Sequence, residues 1–564
     1  MADSARSIVV RNPATGEVLG EVPSFTAEEA RAAIDRARRA QRRWAKAPLG
    51  ERAAVVHRFA DRLLDRADDV SRKLTRENGK VLQESFQMEV FPVVDLARYF
   101  ADHAARILEE RRIPLHLLKH RKSSIHYKAR GVALVIAPWN YPLSIPMGEV
   151  VMALLAGNAA ILKPASLTPL IARTARELFD EAGLDADLFQ VVTGPGSLGS
   201  EMIGMGVDHV SFTGSVETGR RVAELCGRHL VPYALELGGK DPAIVLPDAD
   251  LDHAAASIVW GGYANAGQTC SSVERVYAHT AIWDGLVERI VERAKELRVG
   301  DPLADGTDMG PMTDPNQLLV VERHVGDARA GGARVLAGGT RADRPGQFYL
   351  PTVLVDVADR MDVVRHETFG PVLPLMRCET VDEAIDRAND STYGLNAYVF
   401  SSDVAAARDV ADRLEAGTVM INETLITHAA PETPWSGVKS SGVGFVHSDD
   451  GLRQLGVAAH VNEPVGVAQL KSPFWQPYSH KAYRALLAAA RTLRHSQLNA
   501  RMAGLSRFIR EVCPACDRVM GPEEEGKERA VERTSGRADV GTGAVEGERT
   551  CGEPCEPQAE RPAA

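Results

Sequence analysis

Short apolar runs alternate with longer amphipathic segments between residues 132 and 212. The apolar runs have the length and the bounding turns of buried strands, and the longer segments repeat apolar residues with the helical period. We predict strands at 133–136, 159–162, 189–192 and 209–212, and helices at 147–156, 168–182 and 198–205. This alternation predicts a parallel, doubly wound α/β sheet.

The regions on either side carry further patterns. Residues 12–17 contain turn-forming residues and predict a hairpin between two short strands. Residues 26–82 have a charged helical pattern, and residues 124–135 alternate as a strand. A second α/β region is predicted from Lys240 to about Gly442.

The last hundred residues have a different composition. From Lys481 to Glu511 there are seven Lys or Arg residues and one acidic residue, with apolar residues at helical spacing. We predict a basic amphipathic helical extension over 475–511. It either contacts a membrane surface peripherally through 481–511 or packs on its own domain or a partner subunit. Residues 512–564 have few large apolar side chains and are predicted to be disordered.

Composition narrows the possible classes of protein. The chain has 564 residues, 45% hydrophobic and 25% charged, which allows two or three domains with substantial cores. A net charge of −10 gives no general attraction to nucleic acid, so no nucleic-acid partner is expected. The seven cysteines do not form a disulfide framework, and no apolar signal segment opens the chain. These features predict a cytoplasmic protein.

A glycine motif of the form G-x-G-x-x-G runs from Gly194 to Gly199, after a predicted strand and before a predicted helix. Glycines at such a turn let the backbone approach a pyrophosphate at a helix N-terminus. However, the next predicted strand ends at Phe212 without the acidic residue that a standard dinucleotide-binding fold places there. The motif alone is therefore weak support for nucleotide binding.

Four separate runs carry residues suited to thiol chemistry. Cys270 follows Gly-Gln-Thr in a loop, and Glu236 stands before a double glycine upstream of it. Asn140 lies in Pro-Trp-Asn-Tyr-Pro, and Glu367 begins Glu-Thr-Phe-Gly-Pro. A thiol with a carboxylate that can serve as its base is typical of a nucleophilic enzyme. Singly, each residue has a structural explanation, since a buried cysteine is usually a small hydrophobic residue.

In order and spacing, these runs resemble the aldehyde dehydrogenase superfamily over roughly residues 9–462. The resemblance implies oxidation of an aldehyde with NAD or NADP. It assigns nucleophilic attack to Cys270, oxyanion stabilisation to Asn140 and the Cys270 N–H, and activation of the hydrolytic water to Glu236. Relatives that transfer the acyl group to coenzyme A typically lack this glutamate, so its presence indicates release of a free carboxylic acid.

The resemblance also implies where the cofactor binds. The pyrophosphate is expected at the helix start after Ser215, the nicotinamide ribose at Glu367, and the nicotinamide beside Phe369. No metal site is expected. The complete expected set is Ile136, Pro138, Trp139, Lys163, Ser166, Gly196, Gly199, Phe212, Gly214, Ser215, Gly219, Leu237, Glu367 and Phe369.

Ser166 bears on the choice between NAD and NADP. Relatives restricted to NAD often carry a glutamate three residues after the lysine, where it would repel a 2′-phosphate. Ser166 lacks that charge, which makes NADP acceptable beside NAD. The alternative is that Ser166 only caps the helix that begins near Thr168.

The substrate class follows from the same comparison of motifs. Relatives that oxidise succinate semialdehyde generally carry an arginine at the position of Gly148 and often a second cysteine where this chain has Ser271 and Ser272. Trp435 stands where an aromatic pocket wall is usual. We therefore expect an apolar aliphatic or aromatic aldehyde. A semialdehyde of the succinate type stays an alternative, because Arg275 is available to pair with a carboxylate.

The resemblance implies a Rossmann-like cofactor domain (8–118 and 132–237), an α/β catalytic domain (238–444) and a small β oligomerisation element (119–131 and 445–464). The last is expected to come from strands 124–130 and 457–461, which would donate a sheet edge to a partner subunit in a homodimer or homotetramer. Two other classes stay open: a thiol esterase that uses Cys270 without cofactor turnover, and a non-catalytic nucleotide-binding member of the fold. The tail cysteines are expected to be unligated, although their pairing resembles zinc sites: Cys513, Cys516, Cys551 and Cys555.

Overall fold

The structure, a computed structural model, describes residues 7–466 and 475–512. The chain divides into two compact units, 1–465 and 466–564. The strands in the described residues are β1 Ser7–Arg11, β2 Val18–Pro23, β3 Arg111–Ile113, β4 Arg121–Ala129, β5 Val132–Ile136, β6 Ala159–Lys163, β7 Phe189–Val191, β8 His209–Thr213, β9 Tyr233–Glu236, β10 Asp241–Val245, β11 Val273–His279, β12 Arg334–Ala337, β13 Thr352–Val355, β14 Val372–Cys378, β15 Asn396–Phe400, β16 Thr418–Ile421, β17 Gly442–Val443 and β18 Gly456–Pro464.

The helices connect these strands and cover the sheets. A π-helical turn, Phe86–Val90, joins α4 to α5, and a 3₁₀ turn, Ala264–Gly267, follows α10. The α-helices in the described residues are α1 Ala27–Trp44, α2 Leu49–Asp65, α3 Ala67–Asn78, α4 Leu82–Ser85, α5 Phe91–Ile107, α6 Ser144–Leu155, α7 Pro169–Glu181, α8 Gly196–Ile203, α9 Val216–His229, α10 Leu251–Tyr263, α11 Trp283–Glu296, α12 Pro315–Ala330, α13 Asp362–Arg365, α14 Val381–Asn389, α15 Val404–Arg413, α16 Ser448–Gln454, α17 His480–Arg494 and α18 Leu498–Val512.

A six-stranded sheet has the order β17-β9-β8-β5-β6-β7. Its strands are parallel except for the short edge strand β17, which is antiparallel to β9. The four strands and three helices predicted between residues 132 and 212 are confirmed, with ends that differ by at most three residues. Strands such as β5 and β6 are buried almost throughout, because helices cover both faces of a parallel sheet.

A seven-stranded sheet has the order β12-β13-β14-β11-β10-β15-β16 and its own hydrophobic core. It is parallel except at its edge, where β12 runs antiparallel to β13. This sheet confirms the second α/β region predicted from Lys240 onward. Together the two sheets give the α/β architecture that was expected, while the domain boundaries stay a prediction.

The pattern at 124–135 does not form one strand. β4 ends at Ala129 and belongs to a three-stranded sheet, β18-β4-β3, whereas β5 begins at Val132 in the six-stranded sheet. Between them the chain turns at Gly131, where φ is +144°. The two segments expected to form the oligomerisation element are both strands and pair with each other in this sheet, with Val461 opposite Ser124 and Val457 opposite Lys128. That this element joins subunits stays a prediction.

The charged helical region 26–82 is confirmed as a series of separate helices. α1 begins at a capping box in which Thr26 accepts from the Glu29 N–H and Glu29 accepts from the Thr26 N–H. α2 packs on α7 through Phe59 and Phe179, whose rings stack with centroids 3.9 Å apart. α3 ends at Gly79, with φ +98°.

The second unit contains α17 and α18, which confirm the helices predicted over 475–511. Ser479 caps α17 by accepting from the Ala482 N–H, and Arg484 pairs with Glu511 on α18 at 2.6 Å. No helix within 7–466 or 475–512 is long and apolar enough to cross a membrane. Of the tail predicted over 512–564, Val512 is the last residue of α18, and residues 513–564, with their four cysteines, lie outside the described residues.

Candidate active site

The expected cofactor residues meet at one edge of the six-stranded sheet. Ile136 ends β5 opposite Lys163, which ends β6, and Ile136 also faces Phe212 on β8. Glu236 ends β9 opposite Thr213. Because these strands are parallel, their carboxyl ends lie together, which is where open α/β sheets bind ligands.

Cys270 is carried by a backbone loop in an unusual conformation. After α10, Asn265, Ala266 and Gly267 have φ values of +51°, +55° and +72°. Left-handed conformations in non-glycine residues are costly and persist only where the surroundings hold them. Gly267 lies so close to the Gly370 carbonyl that a Cβ would overlap it. The Cys270 loop is therefore pressed against the loop that carries Glu367 and Phe369.

Asn140 is buried, and hydrogen bonds fix both its side-chain amide and its backbone carbonyl. Its side-chain Nδ2 donates to the Gln268 carbonyl at 3.0 Å. Its own carbonyl accepts from Lys80 Nζ at 2.8 Å and from Asn265 Nδ2 at 3.0 Å. The amide is thus tied directly to the loop that carries Cys270.

Two residues that were not predicted from the sequence, Lys80 and Glu89, hold Asn140 in position. Their side chains are fully buried and form an ion pair at 2.6 Å. Glu89 also accepts from the N–H groups of Leu143 and Ser144 at the start of α6, and Lys80 lies 3.9 Å above the Tyr141 ring. No signal in the sequence pointed to them, since Lys80 stands in the charged helical region 26–82 and Glu89 lies beyond it in no recognised motif.

Cys270 is partly accessible, at the wall of a small pocket. Burial of the thiol, followed by the nearby charges of Glu236, Asp241 and Glu367, holds the pKa of Cys270 well above its usual range. The buried cysteines Cys226 and Cys378 have pKa values raised to about 11 by burial. They lie in the two hydrophobic cores, as a structural role predicts.

Glu236 is buried, and Trp435 donates to it. The indole Nε1–H reaches Oε2 of Glu236 at 2.6 Å. Burial raises the pKa of Glu236 to about 8, the Trp435 hydrogen bond lowers it, and the charge of Glu149 raises it. The expectation that Trp435 forms the pocket wall is wrong: its side chain is 1% exposed and lies in an apolar cluster with Leu395 and Val446.

Glu149 is a second buried carboxyl group that the sequence did not reveal. It projects from α6 and accepts from Ser211 Oγ at 2.7 Å, and its Oε1 has no hydrogen-bond partner within the described residues. Burial raises the pKa of Glu149 to about 7. In the sequence it looked like one polar position within an otherwise apolar helix.

The loop with Glu367 and Phe369 is held by a buried ion pair. Lys240 contacts Glu274, which accepts from the N–H groups of Thr368 and Phe369 at 2.8 Å each. Glu367 accepts from the Gly239 N–H at 3.1 Å. Phe369 has φ +51°, and its ring lies edge-on to that of Trp139 with centroids 5.4 Å apart. Lys240 and Glu274 were also missed, although Lys240 follows the double glycine after Glu236.

The glycine-rich turn leaves room for a phosphate group. Gly196 begins α8, and a Cβ added there would meet no atom within 4 Å, so protein packing does not require this glycine. Ser215 caps α9 by accepting from the Thr218 N–H at 3.3 Å. Both helix starts are exposed at the sheet edge and suit an anion. The arrangement therefore fits a dinucleotide.

The remaining expected residues surround these positions. Lys163 is buried, and burial lowers its pKa to about 8. Ser166 is exposed and donates to the Gly194 carbonyl at 3.1 Å. The alternative that Ser166 caps α7 is wrong, because that cap position belongs to Thr168. The others lie at the strand ends or in the first turns of α8 and α9: Pro138, Gly199, Gly214, Gly219 and Leu237.

A pocket with a cavity volume of about 60 Å³ opens beside Cys270. The described side chains that line it are uncharged: Gln87, Met88, Pro92, Tyr141, Ile145, Thr269, Cys270, Ser271, Leu425 and Ala429. A Cβ at Gly148 would contact His447 and Leu96, each at 3.5 Å, so neighbouring side chains occupy the space above that position.

Arg275 is not available to a substrate in this pocket. Its guanidinium donates to the carbonyls of Lys240, Arg387 and Ala388 at 2.7, 3.3 and 3.0 Å. Its side chain is buried and borders a different cavity. The prediction that Arg275 could pair with a substrate carboxylate is therefore wrong.

Comparison with known proteins agrees with this geometry. Residues 1–461 match the model of the aldehyde dehydrogenase family. A Mycolicibacterium smegmatis protein with the provisional name of an NADP-dependent succinate-semialdehyde dehydrogenase is 40% identical over 452 residues, covering 80% of this chain and 87% of that one. The NADP-dependent succinate-semialdehyde dehydrogenase GabD of Escherichia coli is 38% identical, covering 80% and 93%.

Solved structures show the same relationship. The crystal structure of an NADP-dependent enzyme of E. coli is similar with a TM-score of 0.79 and 36% identity, covering 82% of this chain and 96% of that one. The range matched by the family model, residues 1–461, contains both large sheets and the Cys270 loop. The chain belongs to the aldehyde dehydrogenase family and is an NAD(P)-dependent enzyme.

Proposed function

We propose that this enzyme oxidises an apolar aliphatic or aromatic aldehyde to the free carboxylic acid through a thioester on Cys270. The observation that carries the proposal is the pocket beside Cys270, in which every lining side chain that the structure describes is uncharged and Met88, Pro92 and Ile145 are apolar. Uncharged, partly apolar walls around one reactive group favour a substrate whose remaining surface is apolar rather than charged.

In the first step, the Cys270 sulfur forms a bond to the aldehyde carbon, and the carbonyl oxygen takes the negative charge. The thiolate is the reactive form, so the thiol proton must leave before or during the attack. Asn140 has two N–H groups on its side chain. One is held by Gln268, which orients the amide and leaves the other for the oxyanion, together with the Cys270 backbone N–H.

When bound, the nicotinamide ring supplies the hydride acceptor that converts the tetrahedral adduct to a thioester. The residues around the sheet edge bind and orient it: Lys163 and Ser166 on the adenosine side, Gly196 and Ser215 at the helix starts, and Glu367 and Phe369 at the nicotinamide end. An exposed serine three residues after Lys163 accepts a 2′-phosphate without the repulsion that a carboxylate would cause, which supports use of NADP as well as NAD.

Glu236 completes the reaction as the general base. It takes a proton from a water molecule while the water oxygen bonds to the thioester carbon and the sulfur leaves as the thiolate of Cys270. With a pKa near 8, the carboxylate is a stronger base than an exposed glutamate, although less of it is ionised at neutral pH.

A second candidate is a succinate-type semialdehyde. It is favoured by the names of the relatives from M. smegmatis and E. coli. Two observations argue against a succinate-type substrate. Gly148 stands where enzymes for such substrates generally carry an arginine, and the Arg275 guanidinium is bound by backbone carbonyls. An unpaired carboxylate in an uncharged pocket would lose hydration without gaining a partner.

The proposal is tested by following reduced nicotinamide with purified protein and a panel of short, long-chain, aromatic and carboxylated aldehydes. We expect kcat/KM for hexanal or benzaldehyde to exceed that for succinate semialdehyde by at least about tenfold, the value of one good polar contact. A preference for succinate semialdehyde would overturn the substrate class and leave the mechanism in place. Ester hydrolysis without any nicotinamide reduction would instead indicate a thiol esterase.

A further inference from the structure

We infer that Trp435 is a positioning residue for the hydrolytic step. Its indole N–H holds one carboxylate oxygen of Glu236 and leaves the other oxygen to orient the attacking water. The inference rests on the proposed role of Glu236 as the general base.

The hydrogen bond is well defined in direction and geometry. An indole N–H is a donor only, so at 2.6 Å from Oε2 it must donate to Glu236. Trp435 is itself held in place, because its backbone exchanges two hydrogen bonds of 2.9 Å with Val446. The indole packs with Leu395 and Val446, and Cys270 packs against the same cluster. Rotation of the indole away from Glu236 would therefore disrupt a packed core.

The hydrogen bond has a consequence for protonation. A donor to a carboxylate stabilises its ionised form, whereas burial and a second carboxylate destabilise it. The groups that act on the pKa of Glu236 are Trp435, which lowers it, and burial together with Glu149, which raise it. Glu236 in turn raises the pKa of Cys270. Trp435 thus increases the fraction of Glu236 that can act as a base at neutral pH.

The contact also separates a chemical role from a purely structural one. Loss of packing would reduce turnover at every pH. Loss of the donor alone would reduce turnover only where Glu236 is partly protonated, below its pKa. The pH dependence of deacylation is therefore the decisive measurement.

The test compares the full-length wild type with Trp435→Phe, which keeps an aromatic ring and removes the N–H. A rapid burst of reduced nicotinamide reports acylation and hydride transfer, and the steady rate that follows reports deacylation. In Trp435→Phe we expect the burst to be unchanged. The apparent pKa in the pH profile of the deacylation rate should rise by about one unit, the size expected for a hydrogen bond to a charged group. The steady rate at pH 7 then falls about tenfold, and the difference shrinks above pH 9.

Trp44→Phe is the matched control. Trp44 Nε1 also donates a partly buried hydrogen bond, to the Leu154 carbonyl at 2.8 Å. Trp44 is the last residue of α1, and its N–H donates to Leu154 rather than to Glu236. We expect Trp44→Phe to leave the apparent pKa of deacylation unchanged. In the Glu236→Gln background, Trp435→Phe is expected to leave the burst unchanged and to cause no further change in the residual deacylation rate at any pH, because the group it acts through is absent.

The outcomes are distinguishable. If Glu236→Gln stops deacylation but the deacylation rate of Trp435→Phe has the same apparent pKa as that of the wild type, the inference is overturned and the proposed function stands. If Glu236→Gln deacylates normally, the proposed base is wrong and the inference falls with it.

A second measurement needs no Trp435 variant and covers the case in which Trp435→Phe does not fold. With ¹⁵N-labelled tryptophan in the wild type, one indole N–H signal should titrate with Glu236 and should stop titrating in Glu236→Gln. A set of indole signals that is independent of pH across the range 6–10 in the wild type would overturn the inference.

Discussion

Replacing Lys80 by methionine tests whether the buried ion pair beneath Asn140 supports catalysis. The ammonium group contacts Glu89 at 2.6 Å, the Asn140 carbonyl at 2.8 Å and the face of Tyr141 at 3.9 Å. Methionine has a similar length and no charge, so Glu89 would be left buried without its cation. Removing one partner of a buried pair typically costs about 3–5 kcal/mol.

The structure places Lys80→Met at the lower end of that range. Glu89 keeps two backbone donors, from Leu143 and Ser144, so part of its hydrogen bonding survives. We therefore expect a loss of about 3 kcal/mol in the free energy of unfolding. Asn140 keeps the contact with Asn265, so the oxyanion donor is displaced rather than removed. Complete loss of such a donor lowers kcat about 10²–10³-fold, and displacement should lower the burst rate about tenfold.

The assay combines denaturant unfolding with the rate of the reduced-nicotinamide burst. Lys73→Met serves as the control, since Lys73 forms a surface pair with Asp69 at 3.0 Å and should change stability by less than about 0.5 kcal/mol. Adding Glu89→Gln to Lys80→Met should recover part of the lost stability, because the unpaired charge is then removed. A loss below 1 kcal/mol with an unchanged burst would refute the reasoning.

Three further predictions address the chemistry. Cys270→Ala should abolish aldehyde oxidation and leave dinucleotide binding unchanged by fluorescence titration; turnover near that of the wild type would contradict the nucleophile assignment. Glu236→Gln should give a burst without steady turnover. In the wild type the steady rate should rise with pH and reach half of its maximum near pH 8, because the base acts only when ionised; a flat profile from pH 6 to 9 would argue against this base. Ser166→Glu should lower kcat/KM for NADP more than for NAD, by at least about tenfold, and equal effects would remove Ser166 from cofactor selection.

The periodic segments of the sequence were sufficient for the architecture. Buried strands such as β5 and β6 are apolar except for Lys163 at the end of β6 and are separated by helix-length segments, so their parallel arrangement follows from the pattern alone. The segment 124–135 was misread because alternation shows that residues are extended but not which sheet they join. The chain turns at Gly131 and changes sheets there.

The candidate site was predictable where chemistry concentrates in short motifs. Cys270, Glu236 and Asn140 each stand in a distinctive run, and the structure brings their loops together. Lys80, Glu89 and Glu274 had no such signal, because a charged residue in a helical or strand pattern is usually solvated. Lys80 and Glu89 can be buried because they pair with each other and with backbone groups of residues 140–144, and Glu274 because Lys240 and two backbone N–H groups reach it.

The sequence by itself determined the family and the α/β layers and pointed to Cys270 as the proposed nucleophile, because local periodicity and short motifs are encoded in neighbouring residues. Only the tertiary structure decided what the long side chains contact. Arg275 turns to backbone carbonyls rather than to the substrate, Ser166 donates to Gly194 rather than capping a helix, and Trp435 donates to Glu236 rather than lining the pocket. The physical reason is that a buried polar group must find a partner, and that partner is chosen by packing between segments far apart in the chain.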